Sequence, residues 1–228
     1  LAELGSIETL RLKSYSTLDL YGATTFGGGL KTLEVQAAGI AGRNNAGATA
    51  TLTATNIALS NPDDIDFAAA KPAGGGSGTL ALTATDTLTL GNGNFTTDGF
   101  VATTLTGDRQ IVASGTGKHE YAGNLTLAAG RITTGTGARQ AIAASGNLAT
   151  QAIAQATPFT GADFGGQLTL SGATLSHGGR IDLPAGKVVL QATAGDVNLL
   201  AGSSIETKGI NKTFAGKLAH AAGGLVRI

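Results

Sequence analysis

The sequence predicts an all-β protein of the parallel β-helix (β-solenoid) type, with about 20–25 residues per coil and about ten coils. Three observations support this prediction: a short apolar phrase returns at a nearly fixed interval, glycine-rich turns separate its copies, and the composition favours a narrow core. Of the 228 residues, 36 are Gly and 42% are hydrophobic, whereas only 4% are aromatic. Such a core is built from Leu, Ile, Val and Ala rather than from large rings.

The repeating phrase is an apolar pair separated by one residue and usually preceded by a polar residue. Its period-two alternation is typical of a strand, so Leu10 and Leu12 face one side while Thr9 and Arg11 face the other. Successive copies are separated by about 20 to 28 residues. Their first apolar residues are Leu10, Leu33, Leu52, Leu80, Leu105, Leu125, Leu148, Leu168 and Val188. We expect these residues to form inward-facing columns, because each coil would lie directly on the previous one.

A second strand-like phrase follows the first within a repeat, as Leu18-Asp19-Leu20 follows Leu10. Turns such as Gly27–Gly29 and Gly91–Asn94 separate the phrases, and glycine reaches positive φ there at little cost. An antiparallel β-sandwich is the main alternative, since its strands also alternate. A sandwich, however, does not require its phrases to return at one interval.

We expect residues 1–228 to form a single β-helix segment of a longer chain, because neither end shows a capping helix and Leu1 opens the chain without a signal peptide. The step from Leu52 to Leu80 is longer than one coil and contains prolines and a glycine run. It therefore predicts a protruding loop near residues 61–77. A second excursion is expected around residues 157–164.

The charge balance, the short apolar runs and the absence of cysteine each argue against a class of function. Lys plus Arg and Asp plus Glu number 15 each, so the formal net charge is zero, and the basic residues are scattered singly. A phosphate-binding surface requires an excess of basic residues, so we expect no nucleic-acid partner. Apolar runs such as Phe67–Ala70 are far too short for a spanning helix, so we expect no membrane insertion. The absence of cysteine excludes a thiol nucleophile.

The stretch GNLTLAAGRIT at 123–133, running into IAASGNL at 142–148, resembles the repeats of filamentous-haemagglutinin-like exoproteins, the large surface adhesins of bacterial two-partner secretion. The runs GGRIDLPAGKV at 178–188 and GDVNL at 195–199 are similar to the same repeats. The similarity covers most of residues 79–228, whereas the first third of the chain shares only the general character of the repeats. The family's N-terminal secretion domain is not recognisable.

This resemblance implies a right-handed parallel β-helix that is exported unfolded through an outer-membrane transporter and folds outside the cell. It also implies a secreted or cell-surface location and a role in adhesion, biofilm formation or effector display. It supplies no catalytic residue.

The acidic part of the predicted loop is the first candidate site. Asp63, Asp64 and Asp66 have the oxygen ligands that Ca²⁺ prefers. A solvated loop tip is favoured over a metal site, because the spacing matches neither an EF-hand nor a glycine–aspartate repeat. We therefore expect no metal and no cofactor. The same three residues and Lys71 are the predicted partner contacts, because a protruding loop is exposed.

The three histidines, His119, His177 and His220, lie on different coils, and we expect them at the surface or in turns rather than around a metal. A platform for sugar rings could in principle be formed by Tyr15, Tyr21, Tyr121, Phe95 and Phe100. We favour instead Phe side chains that fill coil corners and Tyr side chains that are half buried.

Two acid pairs are separated by about one coil, which is the arrangement that acid–base cleavage of a polysaccharide requires. They are Asp86 with Asp108 and Asp182 with Glu206. With 15 acids in the chain such coincidences arise by chance, so we expect no catalytic residues.

Two functions from different classes remain. The favoured one is a structural rod segment of a large secreted or cell-surface bacterial adhesin, whose partner is a host or bacterial cell-surface receptor or a polysaccharide. The alternative is a carbohydrate-active β-helix enzyme, a polysaccharide lyase or hydrolase, or a carbohydrate-binding module.

Overall fold

The computed structural model describes residues 7–70, 76–154, 159, 163–214 and 217–228. The described chain is an all-β solenoid whose parallel strands stack in about eight turns. In chain order the elements are β1 (Thr9–Lys13), β2 (Thr17–Tyr21), β3 (Thr25–Phe26), β4 (Thr32–Gln36), β5 (Gly39–Arg43), β6 (Thr49–Ser60), α1 (Phe67–Ala70), β7 (Gly78–Leu90), β8 (Gly93–Asp98), β9 (Phe100–Gly107), β10 (Gln110–Ala113), β11 (Thr116–Tyr121), β12 (Asn124–Ala129), β13 (Ile132–Thr134), β14 (Arg139–Ala144), β15 (Leu148–Ala152), β16 (Gln167–Gly172), β17 (Leu175–Gly178), β18 (Arg180–Asp182), β19 (Lys187–Ala192), β20 (Val197–Leu199), β21 (Ser204–Glu206), β22 (Ile210–Phe214), β23 (Lys217–Ala221) and β24 (Leu225–Arg227).

The solenoid has three faces, and each face is a ladder of parallel strands. Face 1 comprises β3, β6 up to Ala54, β7 up to Ala84, β9, β12, β15, β17 and β20. Face 2 comprises β1, β4, the remaining parts of β6 and β7, β10, β13, β18 and β21. Face 3 comprises β2, β5, β8, β11, β14, β16, β19 and β24. The long strands β6 and β7 pass from face 1 to face 2 without a break, and their mutual register shifts between Ala54 and Asn56 at that corner.

Along each strand every second side chain, usually an apolar one, points into the tube. There the inward side chains of successive turns stack on one another. Leu125 pairs with Leu148 on face 1, and Leu168 pairs with Val188 on face 3, all at most 1% exposed. Each buried Leu thereby loses nearly all its contact with water, which stabilises the fold by about 2 kcal/mol per side chain. The predicted β-helix with its inward columns is thus confirmed.

The assignment of Leu125 and Leu168 to equivalent coil positions is wrong, because these residues lie in different sheets. The predicted number of coils is also too high. The repeat count assigns Leu148 and Leu168 to two successive coils, yet these residues lie on faces 1 and 3 of one turn. All three faces have the same alternation, so the sequence phrase does not distinguish between them.

Two turns omit a face at the places where the sequence predicts excursions. After β6 the chain leaves the wall, and among the described residues no strand of that turn joins face 3, so β5 pairs directly with β8. After β15 the chain crosses to β16 without a described strand on face 2, so β13 pairs with β18 through Ile132 and Ile181. A third excursion, which the sequence did not predict, is the antiparallel hairpin of β22 and β23 between β21 and β24.

Candidate functional site

The 61–70 segment is held on face 3 by a buried asparagine. Asn61 is 1% exposed. Its amide nitrogen donates to the carbonyl oxygens of Ile65 (2.8 Å) and Asn94 (2.7 Å), and its Oδ1 accepts from the Ile65 N–H (3.0 Å). Because one of these partners lies in β8, Asn61 fixes the loop to the wall of the solenoid. Sequence reasoning missed this residue, since an Asn before Pro reads as an ordinary turn former.

A single helical turn, α1, follows this anchor. Asp66 Oδ1 accepts a hydrogen bond from the Ala68 N–H (2.9 Å), which caps the turn. The ring of Phe67 lies close to the backbone of Gly39 in β5, so that a Cβ at Gly39 would lie 2.8 Å from it. The same Cβ would clash with the Thr96 carbonyl oxygen of β8, so glycine at this position lets both β8 and the Phe67 ring approach β5 closely.

Two grooves share Phe67 in their lining. The first, of about 540 Å³, is lined by Asp64, Ile65, Asp66, Phe67, Ala68, Asn94, Thr96, Lys118 and Glu120. The second, of about 450 Å³, runs along β8, β11 and the end of β14, and includes Asp98, Tyr121, Ala143 and Ala144. We call the two together the Phe67 groove.

The polar chemistry of the Phe67 groove is mainly acidic. Its first part has the carboxylates of Asp64, Asp66 and Glu120 and the single ammonium group of Lys118. Lys118 and Glu120 form an ion pair of 2.6 Å in which both side chains are about half exposed. Such a surface suits hydroxyl-rich or cationic ligands, because carboxylates accept hydrogen bonds from both.

The three predicted loop carboxylates point to three different partners. Asp63 forms an ion pair of 2.9 Å with Lys13, and this hydrogen bond raises the pKa of Lys13. Asp64 accepts a long hydrogen bond from Asn94 (3.5 Å), and Asp66 caps α1. Within the described ranges no group of three His, Cys, Asp or Glu side chains is arranged to hold a metal ion. Lys71, the fourth predicted contact, lies outside the described residues.

Of the two acid pairs, one is brought into register. Asp182 and Glu206 are neighbours on β18 and β21 of face 2. Arg180 lies 3.1 Å from Asp182 and 3.6 Å from Glu206, and Lys208 lies 2.8 Å from Glu206. The hydrogen bond from Lys208 lowers the pKa of Glu206. A general acid needs the opposite shift.

The other acid pair shows no such register. Asp86 lies in β7 at the corner between faces 1 and 2, 4.0 Å from the Arg109 guanidinium, and Asp108 lies in the turn between β9 and β10. The sequence spacing of one coil therefore placed only the Asp182 and Glu206 carboxylates side by side.

The expectation of surface histidines is wrong for His119 and His177, which are fully buried in β11 and β17. His119 Nε2 donates to the Gly91 carbonyl (3.0 Å), and its ring stacks on Phe95 with centroids 5.5 Å apart. Burial lowers the pKa of His119 to about 4. In β11 the charged residues Lys118 and Glu120 alternate with His119, and this parity was the available signal.

His177 bridges two coils from inside. Its Nδ1 accepts from Thr150 Oγ1 (2.6 Å) and its Nε2 donates to the Ser204 carbonyl (3.2 Å). Burial lowers the pKa of His177 as well. His220 lies exposed in the β22–β23 hairpin, 2.7 Å from Asn211.

The five aromatic side chains do not form a platform. Phe95, Phe100 and Tyr121 are at most 3% exposed, whereas Tyr15 and Tyr21 are 77% and 60% exposed. The expected half-buried tyrosines are therefore also wrong. Burial raises the pKa of Tyr121, whose hydroxyl has no hydrogen-bond partner in the described structure.

Comparison with protein-family models, with curated proteins and with solved structures found no match. The described part of the chain has no helix with the length and apolar character that crossing a lipid bilayer requires.

Proposed function

We propose that this chain is a rod segment of a large secreted or cell-surface bacterial adhesin, which holds contact surfaces at a distance from the cell. The observation that carries the proposal is the unbroken stacking of three parallel ladders around one apolar core that runs from Leu20 to Leu190. About eight turns at about 4.8 Å per turn give a rod length of about 38 Å. A longer array of the same turns would extend this reach in proportion.

Export through an outer-membrane transporter, which the resemblance implies, is compatible with this construction. The chain contains no cysteine, so no disulfide has to form before or after passage. Each turn pairs with its neighbours, and folding can therefore spread from turn to turn as the chain emerges.

The contact surface in this proposal is the Phe67 groove. It is the place where a loop, an aromatic side chain and several carboxylates meet on the outside of the wall. Its partner is a cell-surface receptor or polysaccharide that presents hydroxyl or cationic groups. The contact serves adhesion, biofilm formation or effector display.

The test is binding of the 228-residue chain to a panel of glycans and to bacterial and epithelial cells. Asp64→Asn and Glu120→Gln each remove one carboxylate from the groove, and Glu8→Gln removes an exposed carboxylate that pairs with Lys31 on another turn. We expect the groove variants to reduce binding several-fold and the Glu8→Gln control to leave it unchanged. Binding that is absent on every surface, or that all three variants reduce equally, would contradict the proposal.

A carbohydrate-active enzyme is the second candidate, and the in-register Asp182 and Glu206 carboxylates favour it. Their ion pairs with Arg180 and Lys208 oppose it, because the hydrogen bond from Lys208 lowers the pKa of Glu206, whereas a general acid needs a raised pKa. Reducing-end and unsaturated-product assays on a set of polysaccharides distinguish the two functions. Product release that Asp182→Asn and Glu206→Gln abolish would replace the structural proposal with the enzymatic one.

A further inference from the structure

Face 1 differs from the other two faces in its outward side chains. In its described strands, every outward residue from β3 to β20 is uncharged, and most are small. These residues are Thr25, Thr49, Thr51, Thr53, Thr79, Ala81, Thr83, Ala102, Thr104, Thr106, Asn124, Thr126, Ala128, Ala149, Gln151, Ser176 and Asn198. The charged strand residues are therefore concentrated on faces 2 and 3.

The excursions follow the same division. The Phe67 ring lies against Gly39 on face 3, and the Phe159 ring lies 4.4 Å from the Arg131 guanidinium at the start of β13 on face 2. The loops thus cover the charged faces in part, whereas the described contacts of these loops leave face 1 open. The ladder of face 1 is also continuous from β6 to β20, with one strand from every turn.

The outward residues of face 1 form regular rows. Thr51, Ala81, Thr104 and Thr126 stand over one another on consecutive turns. Small side chains in register make most of the surface even, and a bulge at the start of β9 adds Val101, which is 53% exposed, to it. The result is a surface of mainly methyl and hydroxyl groups, with the amides of Asn124, Gln151 and Asn198 and one exposed valine.

Charge depletion is the compositional signal that distinguishes the centre of a protein interface from the rest of a surface. The area is also sufficient. Seven strands about 4.8 Å apart and about five residues wide cover roughly 34 Å by 17 Å, or about 580 Å². With full overlap, two such faces together bury about 1,160 Å², which is just above the roughly 1,000 Å² expected of a specific interface.

The chemistry of face 1 is complementary to itself. A threonine hydroxyl both donates and accepts, and Thr49 and Thr79 already share a hydrogen bond of 2.8 Å on this face. Small side chains allow two sheets to approach to about 10 Å, as in paired β-sheets. A zero net charge adds no long-range repulsion between copies. No aromatic ring stands among these outward residues, so stacking of sugar rings has no support here.

We propose that face 1 is the surface through which two copies of this chain pair side by side, with their flat threonine rows in contact. The pairing is isologous, since the same face serves on both partners. With full overlap, the two-fold axis passes near Thr126, which lies in the fourth of the seven strands and in the middle row. This proposal does not depend on the adhesin role, because side-by-side pairing needs no receptor.

The test compares face 1 with face 3 by one substitution at matched positions. Thr126 lies between Thr104 and Ala149, and Thr169 of β16 lies between Ala141 and Val189. Both side chains are partly buried in mid-strand. In sedimentation of the 228-residue chain, we expect a concentration-dependent dimer. Thr126→Lys raises its dissociation constant at least about tenfold, because two ammonium groups meet at the axis, whereas Thr169→Lys leaves it unchanged. Thermal melting of both variants checks that they fold.

Cysteine variants provide a second measurement that tolerates a loss of affinity. The natural chain has no cysteine, so Thr126→Cys and Thr169→Cys each create a single thiol. Under mild oxidation we expect Thr126→Cys to form the covalent dimer at least about tenfold faster than Thr169→Cys, because only facing thiols meet repeatedly. A wild-type chain that stays monomeric, equal effects of the two lysines, or equal cross-linking rates would overturn the proposal. Depletion of a monomeric wild-type chain by insoluble cellulose, prevented by Thr126→Lys, would overturn it in favour of a polysaccharide.

Discussion

Acidification should destabilise the fold through the buried imidazole of His119. Its Nε2 carries the proton that is donated to the Gly91 carbonyl, and its Nδ1 has no hydrogen-bond partner in the described structure. Protonation would place a second N–H and a full charge beside Phe95 in the apolar core, which is why burial lowers the pKa of His119 to about 4.

The sign and magnitude follow from proton linkage. The unfolded chain takes up a proton near pH 6.5 and the folded chain near pH 4, so between these values the unfolded state binds more protons. The free energy of unfolding is therefore highest above pH 6.5, falls as the pH falls to 4, and then changes no further through this group. The difference of about 2.5 pH units corresponds to a loss of about 3 kcal/mol.

The assay is urea unfolding followed by circular dichroism at pH values from 7 to 4. His119→Phe keeps an aromatic ring on Phe95 and removes the titration, and Gln140 still donates to the Gly91 carbonyl (2.8 Å). We expect this variant to be at least as stable as the wild type at low pH and to show a weaker pH dependence, in which the contribution of the buried His177 remains. His220→Gln, on the exposed hairpin, serves as the control. Equal losses of stability in the wild type and His119→Phe between pH 6.5 and 4.5 would refute the reasoning.

Three further predictions concern the loop, the core and the ladders. Asn61→Ala leaves the Ile65 N–H and two carbonyl groups without their partner, so we expect the free energy of unfolding to fall by about 1–3 kcal/mol. We also expect faster proteolysis within residues 61–78 than in the control variant Asn56→Ala. Unchanged cleavage would show that the Asn61 hydrogen bonds do not hold the loop. Leu168→Ala should cost about 2–5 kcal/mol because it opens a cavity beside Val188, whereas its outward neighbour Thr169→Ala should change the free energy of unfolding by less than about 0.5 kcal/mol. Deletion of residues 124–146, which is one whole turn, should give a folded chain that small-angle scattering shows to be about 4.8 Å shorter. Deletion of residues 124–135 removes only part of a turn and should prevent folding. Identical behaviour of the two deletion variants would contradict the ladder model.

The architecture was predictable from the sequence because its cause is local and repeated. Leu33, Leu125 and Leu168 each lie within an alternating segment, and alternation alone decides which side chains point inward. The excursion near Pro62 was predictable because the step from Leu52 to Leu80 exceeds the length of one coil. The step from Leu148 to Leu168 is 20 residues, so the excursion near Pro158 was indicated by its residue types and not by excess length. The face on which each strand lies was not predictable, because all three faces follow the same pattern.

The candidate site was less predictable, because it depends on contacts between distant parts of the chain. Nothing near Asp64 indicates that Phe67 packs against Gly39 or that Asn61 reaches Asn94 in the next turn. The parity of β11 does place His119 inside. The residue type favoured an exposed position instead, because histidine is more often found at least partly exposed than fully buried.

The independence of the three ladders explains where variation is tolerated. When a turn omits its strand on face 3, β5 and β8 close the gap by pairing with each other, and faces 1 and 2 continue unchanged. The same occurs on face 2, where β13 pairs with β18. An excursion therefore leaves only one ladder one strand shorter, and the apolar core remains closed. Because both such omissions fall on the charged faces, loops can vary in length on faces 2 and 3 while face 1 keeps a strand from every turn.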